Sequence, residues 1–319
     1  MDPFSQILKA LRLETGIFLD AEFTAPWCVD PAPGRGDSRQ ILPSAEHVAI
    51  YHLVVEGSCR ARLPDGSAAI ELAAGDLILF PHGDGHLIGS DVRGAPLPAE
   101  ALVQASPEGG LARIVHGGGG DRTRFICGYL ACDSRLCRPM IGALPRMLRV
   151  PLGGRTSASW MIKTLQHAAD ESRAPRAGTD AVLAKLSELL FVEALRGYLE
   201  TVPEQERSWL AGLRDPHVSR VLGLMHAEPA RQWTVDDLGR EAGLSRSALA
   251  ERFALLIGEP PMQYLKRWRL ALGARALKEG NEPVIHVAQQ VGYESEAAFN
   301  RAFKREFGKP PAAWRRHSR

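Results

Sequence analysis

The chain has 319 residues, 45% apolar and 24% charged, with 39 Lys+Arg against 37 Asp+Glu and 5 Cys. That length predicts about two domains with cores of their own, and the composition excludes a disordered or fibrous chain. No run approaches the ~18 apolar residues of a membrane span. With no secretory signal at the N-terminus, an odd cysteine count predicts a protein of the reducing cytoplasm without a disulfide scaffold. The net charge of +2 conceals a division. Residues 215–319 carry 17 Lys+Arg and 12 Asp+Glu, a balance of +5 against −3 for the first 214 residues. A basic excess confined to one part is the electrostatic footprint of a nucleic-acid-binding module.

In chain order, residues 40–90 read as short strands separated by turns. The runs VAIYHLVVEG (48–57), CRARLP (59–64), AAIELAAGD (68–76) and LILFPHG (77–83) are rich in Val, Ile, Leu and Phe. Gly57, Asp65-Gly66, Gly75-Asp76 and Gly83 punctuate them at roughly 8–12-residue intervals, the pattern of a small antiparallel barrel or sandwich. Residues 93–122 are rich in Gly and Pro, including the run Gly117 to Gly120, and predict a long mobile loop before a return strand over Thr123–Leu130. The texture then turns helical. Ser157–Asp170 and Asp180–Leu199 place apolar residues at helical spacing, the second with Val182, Leu186, Leu189, Leu190, Val192 and Leu195. Residues 174–179 break the two with Pro and Gly, and from His217 onward the helical pattern persists.

The last hundred residues repeat themselves. LGREAGLSRSALAERFALLIGEPPMQYL (238–265) aligns with VAQQVGYESEAAFNRAFKREFGKPPAAW (287–314). Leu238 matches Val287, Gly243 matches Gly292, Phe253 matches Phe303, Gly258 matches Gly308, and Pro260-Pro261 match Pro310-Pro311. Each copy reads as a helix, a tight turn with a Gly suited to positive φ, and a second helix. Ser245 is the expected N-cap of the first copy's second helix, and Glu294 or Ser295 that of the second copy's. Between the copies runs a helical segment of about 18 residues, roughly 27 Å long. Such a rod suits two second helices held near the ~34 Å separation of adjacent major grooves.

Residues 216–317 resemble the DNA-binding domain of the AraC/XylS family of bacterial transcription regulators. The resemblance is carried by WTVDDLGREAGLSRSALAERFALLIGEPPMQYLKRWRLALGARAL and PVIHVAQQVGYESEAAFNRAFKREFGKPPAAWRR. Leu249, Phe253, Phe299 and Phe303 are expected in the core. The resemblance then places DNA contacts at the outward positions: Arg246, Ser247, Ala250 and Glu251 in the first reader helix, and Glu296, Ala297, Asn300 and Arg301 in the second. Arg301 suits guanine O6/N7, and Asn300 adenine N6/N7. Arg246, Lys304, Arg305 and Lys309 suit phosphate, which fixes register and makes affinity salt-dependent. Because Ser247, Ala250 and Glu251 are small or acidic, the second unit is expected to carry at least as much specificity as the first.

The stretch from Gly75 to His86 resembles the second cupin motif (Gly, five residues, Pro-x-Gly, two residues, His). With the C-terminal resemblance it implies a cupin-like effector domain over about residues 1–150. An enzymatic cupin holds its metal with two His, a Glu and a further His. Here only His47 and His52 precede Gly57, Ile50 stands where the Glu is expected, and His86 is alone in the second motif. Neither catalytic residues nor a cofactor are therefore expected. A barrel mouth is a common ligand site, and Trp27, His52, Phe80, His82 and His86 are candidates to line one for a small-molecule effector, although each also reads as a satisfied core residue. Cys127, Cys132 and Cys137 with His116 form an allowed zinc donor set, yet their spacing is looser than the usual two-residue knuckle. On one strand Cys127 and Cys132 point to opposite faces. Simple burial, thiol-redox sensing and metal sensing are the three readings of these cysteines.

The expectation is an α+β chain. It comprises a cupin-like antiparallel β-barrel (1–150), a helical linker with dimerisation helices (151–214) and an all-α domain with two helix-turn-helix units (215–319). Its expected partners are double-stranded DNA, a small-molecule effector, RNA polymerase and a second copy of itself, with no membrane. The function implied is that of a sequence-specific transcription activator. The alternative is a thiol-redox-sensing or metal-sensing regulator using Cys127, Cys132 or Cys137.

Overall fold

The structure is a computed structural model describing residues 3–11, 13–31, 47–105, 110–154, 156–172, 176–203 and 207–317. In chain order it opens with α1 (Pro3–Leu11), β1 (Glu14–Thr24), β2 (Cys28–Asp30), β3 (His47–Glu56), β4 (Ser58–Arg62) and β5 (Ile70–Ala73). There follow β6 (Asp76–Phe80), β7 (Leu87–Gly89), β8 (Leu97–Pro98), β9 (Ala112–Gly117), β10 (Arg122–Cys132), α2 (Ser134–Ile141) and β11 (Leu148–Pro151). The remainder is helical: α3 (Thr156–Glu171), α4 (Thr179–Thr201), α5 (Trp209–Arg214), α6 (Pro216–Ala227), α7 (Val235–Ala242) and α8 (Arg246–Ile257). It ends with α9 (Pro261–Glu279), α10 (Val284–Gln290), α11 (Glu296–Phe307) and α12 (Pro311–His317). Two compact units result, and they interleave in sequence. One holds Leu13–Cys132 and Leu144–Thr201; the other gathers α1, α2 and the chain from Val202 onward.

The first unit is an open barrel of two facing sheets that do not close as expected, in the orders β11-β6-β3-β10-β1-β9 and β5-β4-β7-β2-β8. Pairing is antiparallel except at β1–β9 and β2–β8, which are parallel. Both sheets feed one core: Phe23, Val54, Phe80 and Phe125 come from the larger, Val29, Ala61, Leu72 and Ile88 from the smaller. β3 is buried on both faces because α4 covers the outside of the larger sheet. There Tyr51 Oη donates to Ser187 Oγ (2.8 Å) and Thr15 Oγ1 to the Ala184 carbonyl (2.7 Å). Gly128, the register partner of Tyr51, makes room for its ring; a Cβ at 128 would stand 2.2 Å from it. On the same outer face Arg124 pairs with the buried Asp20 (2.8 Å) and with Asp170 of α3 (2.6 Å).

Two expectations change here. The Gly/Pro-rich stretch 93–122 is not one long loop. It contains β8, a short 3₁₀ turn over Ala99–Leu102, and β9, whose backbone is claimed by the edge of β1. The apolar seam on α4 is also divided. Leu186, Leu190 and Leu195 are spent inside their own unit, and only Val182 and Leu189 remain exposed.

In the second unit α1 packs on α6, and α2 on α5 and α9. α9 is shared between two small cores. Tyr264, Leu265 and Trp268 in its first half are buried with the helices before it. Leu270, Ala274 and Leu277 in its second half join Val287, Val291, Phe299 and Phe303.

Candidate nucleic-acid interface

The two copies of the repeat form the same local structure for the same physical reasons. α7 begins with a capping box in which Thr234 and Asp237 satisfy each other's backbone N–H groups. It ends at Gly243 (φ +69°), where the Leu244 N–H donates to the Gly239 carbonyl (2.9 Å). In the second copy Gly292 (φ +89°) takes that position, and the Tyr293 N–H donates to the Ala288 carbonyl (2.8 Å). This six-to-one bond closes the turn in both copies. Ser245 caps α8 by accepting from the Ala248 N–H, and Ser295, not Glu294, caps α11 by accepting from Ala298. Both second helices stop at a left-handed glycine, Gly258 (φ +84°) and Gly308 (φ +72°). A Pro then starts the next helix, a position that loses no needed hydrogen bond.

Burial sorts the residues of the second helices. Leu249, Phe253, Phe299 and Phe303 are fully buried. Arg246, Ser247, Glu251, Glu296, Ala297, Arg301, Lys304, Arg305 and Lys309 are exposed, and Ala250 and Asn300 are half-buried. The two helices differ in how their cations are engaged. On α8, Arg246 lies 3.4 Å from Asp236 and Arg252 grips Asp215 at 2.5 Å. On α11, Arg301 and Lys304 have no ion pair among the described residues.

The barrel candidates divide. His52, Phe80 and His86 meet in the interior. The Phe80 and His86 rings stack at 3.5 Å, and His52 Nε2 faces His86 Nε2 at 2.7 Å. His86 Nδ1 faces the Asp84 carbonyl (3.1 Å), which can only accept, so that nitrogen carries the proton. His52 Nε2 must then donate to His86 Nε2, which leaves His52 Nδ1 to accept from the Cys127 thiol at 2.9 Å. Burial holds both imidazoles neutral, His52 well below its ordinary range and His86 down to about 4. Trp27 stands apart from this chain, stacked on Phe23 at 4.3 Å in the same core. His82 does not join; it is exposed and bonds the Leu144 carbonyl (3.0 Å).

Sequence reasoning did not place Cys127 against His52, although they are direct register partners on β10 and β3. Burial pushes the Cys127 thiol up, the opposite of an activated thiolate. Cys132 is half-buried and Cys137 lies in α2 of the other unit; His116 sits half-buried on β9. No group of three or more His, Cys, Asp or Glu among the described residues is arranged to hold a metal ion. Nor is any helix among them long and apolar enough to cross a membrane. Cavities open among the described residues of the barrel unit. One of about 530 Å³ lies between β1 and α4, lined by Ile17, Phe18, Tyr129, Asp180 and Leu183 among others. Another, about 500 Å³, is walled by Ser58, Arg60, Glu71, Thr123 and Arg149 among others.

A cupin family model matches residues 2–200, and a helix-turn-helix domain model matches residues 238–317. A Streptomyces lividans protein named as an AraC-like transcription regulator is 34% identical over 318 residues, covering 99% of each chain. The transcriptional regulator AlkR of Acinetobacter baylyi is 27% identical over the full length of both chains. Among solved structures, the DNA-binding domain of AdpA in complex with a target DNA is similar at 31% identity. It covers 32% of this chain and 92% of its own, with a TM-score of 0.31. The relatives are transcription regulators, not enzymes. The chain belongs to the AraC-like transcription regulators, with a cupin domain in its N-terminal part and a helix-turn-helix DNA-binding domain at its C-terminus.

Proposed function

We propose that this regulator is a sequence-specific activator in which one chain reads two successive major grooves, with α11 the stronger reader. The observation that carries this reading is the engagement of the cations. Arg246 and Arg252 on α8 are already paired with Asp236 and Asp215, whereas Arg301 and Lys304 on α11 are exposed and unpaired among the described residues. Arg301 and Asn300 read base edges, joined by Glu296 and Ala297. Ser247, Ala250 and Glu251 contribute the weaker contacts of α8. Arg246, Lys304, Arg305 and Lys309 anchor phosphates.

The barrel unit senses a small molecule. The packed rings of His52, Phe80 and His86 favour the groove between β1 and α4 as the effector site over the barrel interior. The exposed Val182 and Leu189 on α4 support pairing of two copies, and RNA polymerase is the partner of an activator. For functional work the chain divides after Thr201, with α1 and α2 kept with the C-terminal unit, and not at the expected residues 150 and 214.

Genome-wide footprinting with the purified protein supplies natural binding sites for the test. On those sites Arg301→Ala weakens binding by about tenfold or more, the loss of one bidentate base contact, and Arg246→Ala weakens it less. An Arg301→Ala protein within about threefold of wild type, beside an Arg246→Ala protein that no longer binds, overturns the assignment.

A further inference from the structure

The duplicated turn contains its own control. Gly243 and Gly292 occupy the same position in the two copies, and both have positive φ. Around Gly243 a Cβ would meet nothing within 4 Å, so that glycine serves the turn alone. Around Gly292 a Cβ would meet the Cα and carbonyl oxygen of Ala230 and Cζ of Arg269, all at 2.9 Å. The second turn therefore serves a further purpose: it is pressed against the segment that leads into the first helix-turn-helix unit.

That segment, 228–233, is held from both sides. Arg269, near the middle of α9, donates from Nε to the Pro229 carbonyl (2.6 Å) and from Nη2 to the Arg231 carbonyl (2.7 Å). Gln232 donates from Nε2 to the Gly292 carbonyl (2.9 Å). The segment is stiff in itself. Trp233 is buried with its Nε1 on the Glu228 carbonyl (3.1 Å), and the Arg231 guanidinium covers its ring at 3.8 Å. Directly after it, Thr234 opens the capping box of α7. A fork of two planar N–H bonds on the carbonyls of Pro229 and Arg231 fixes orientation as well as distance. The two cores also share α9 and are bridged by α2, which packs on α5 and sets the Arg135 guanidinium 4.4 Å from the Trp314 ring; the contact at 228–233 adds to these links a directional one at the turn of the second unit itself.

We infer that Arg269, Gln232 and Gly292 are the positioning set that fixes the separation and rotation of the two helix-turn-helix units, and hence the spacing of the two DNA words one chain recognises. This rests on the reading above, that both units enter DNA. None of the three lies on α8 or α11, the helices read as entering the grooves. Each base pair inserted between two words turns one against the other by ~35° and moves it ~3.4 Å. A clamp of this kind is therefore read out as discrimination between spacings.

The test is selection of binding sites from a random duplex library by the full-length protein, wild type, Arg269→Ala and Gln232→Ala, with sequencing of the bound pool. Wild type yields two words at one spacing. Arg269→Ala yields the same two words with the spacing spread over several base pairs. Its affinity for the wild-type arrangement falls about tenfold, while duplexes bearing either word alone are bound within about twofold of wild type. Unchanged spacing in Arg269→Ala, with both words retained, overturns the inference, as does equal weakening on single words and on the pair. Should Arg269→Ala lose its helical circular dichroism, Gln232→Ala decides, because that side chain is exposed and outside the core. Relaxed spacing in it supports the clamp, and wild-type spacing overturns it. A wild-type protein that selects only one word removes the two-groove reading itself, an outcome distinct from a clamp that fails.

Discussion

Lowering the pH from 7 to 5 is expected to destabilise the barrel unit through the His52–His86 pair. Every proton position in the chain from Cys127 to Asp84 is set by its neighbours, and the neutral form uses each donor and acceptor once. A proton added at His86 Nε2 turns two N–H groups against each other at 2.7 Å and leaves a cation in an apolar core. The groups facing the pair include Cys127 on β10, the Phe80 ring on β6 and Asp84, whose backbone carbonyl and Arg146-paired carboxylate both favour the protonated imidazole of His86 but are outweighed by burial. The sign follows from the binding of protons. His86 titrates at about 4 when folded and near its ordinary 6.5 when unfolded, so between those values the unfolded chain holds the extra proton. Stability is complete above pH 6.5 and falls with pH down to 4. The loss from His86 is about 2 kcal/mol at pH 5 and about 3 at pH 4, against a typical total of ~5–15 kcal/mol. His52, displaced in the same direction, adds to it. The assay is urea unfolding at pH 7, 6 and 5 for wild type and for His52→Leu/His86→Leu. Comparing the two cancels other acid-sensitive groups, including His226 of the DNA-binding unit, which burial lowers to about 3. The wild type loses at least about 2 kcal/mol more than the double variant between pH 7 and 5. Parallel pH profiles would refute the reasoning.

Three further outcomes are expected from particular contacts. Arg124→Met removes the guanidinium that balances the buried Asp20 charge and costs ~3–5 kcal/mol in unfolding free energy, whereas Arg93→Ala, which breaks an exposed pair with Asp91, changes it by less than ~1. Equal effects would remove the distinction. Phe303→Ala empties the centre of the aromatic cluster with Phe299, Phe307 and Trp314 and costs ~3–5 kcal/mol; denaturant unfolding checks it, and a loss below ~1 kcal/mol would place that side chain outside the core. Ser295→Ala removes the cap of α11 for ~1 kcal/mol, and Ser295→Asp restores most of it; a thermal melt that Ser295→Ala leaves in place counts against the cap.

The C-terminal repeat was legible in the sequence because its geometry is dictated locally. Left-handed turns ask for glycine at 243, 258, 292 and 308, and helix starts accept Pro261 and Pro311. Both demands recur at matching offsets. The barrel was less legible wherever pairing is non-local. β1 is interrupted by a register shift between Ile17 and Leu19, which breaks the two-residue alternation. The fold buries its Asp20 against Arg124, a long-range pairing that local sequence does not announce. β9 buries little beyond Ile114, and its strand character comes from the edge of β1. α2 is eight residues long, carries Pro139, and is stabilised by packing on α9. The meeting of His52, His86 and Cys127 requires the register of β3 on β10, which no spacing along the chain reveals. Exposure on α8 and α11, by contrast, follows from helical periodicity once Leu249, Phe253, Phe299 and Phe303 are assigned to the core.

In the function proposed above, one chain engages two successive grooves through α8 and α11. Hydroxyl-radical footprinting of the full-length protein on a duplex it has selected, with the number of bound chains counted, tests this most directly. Two protected windows per bound chain are expected on one face of the DNA, centred about one helical turn (~10 base pairs) apart. One protected window per chain would contradict it.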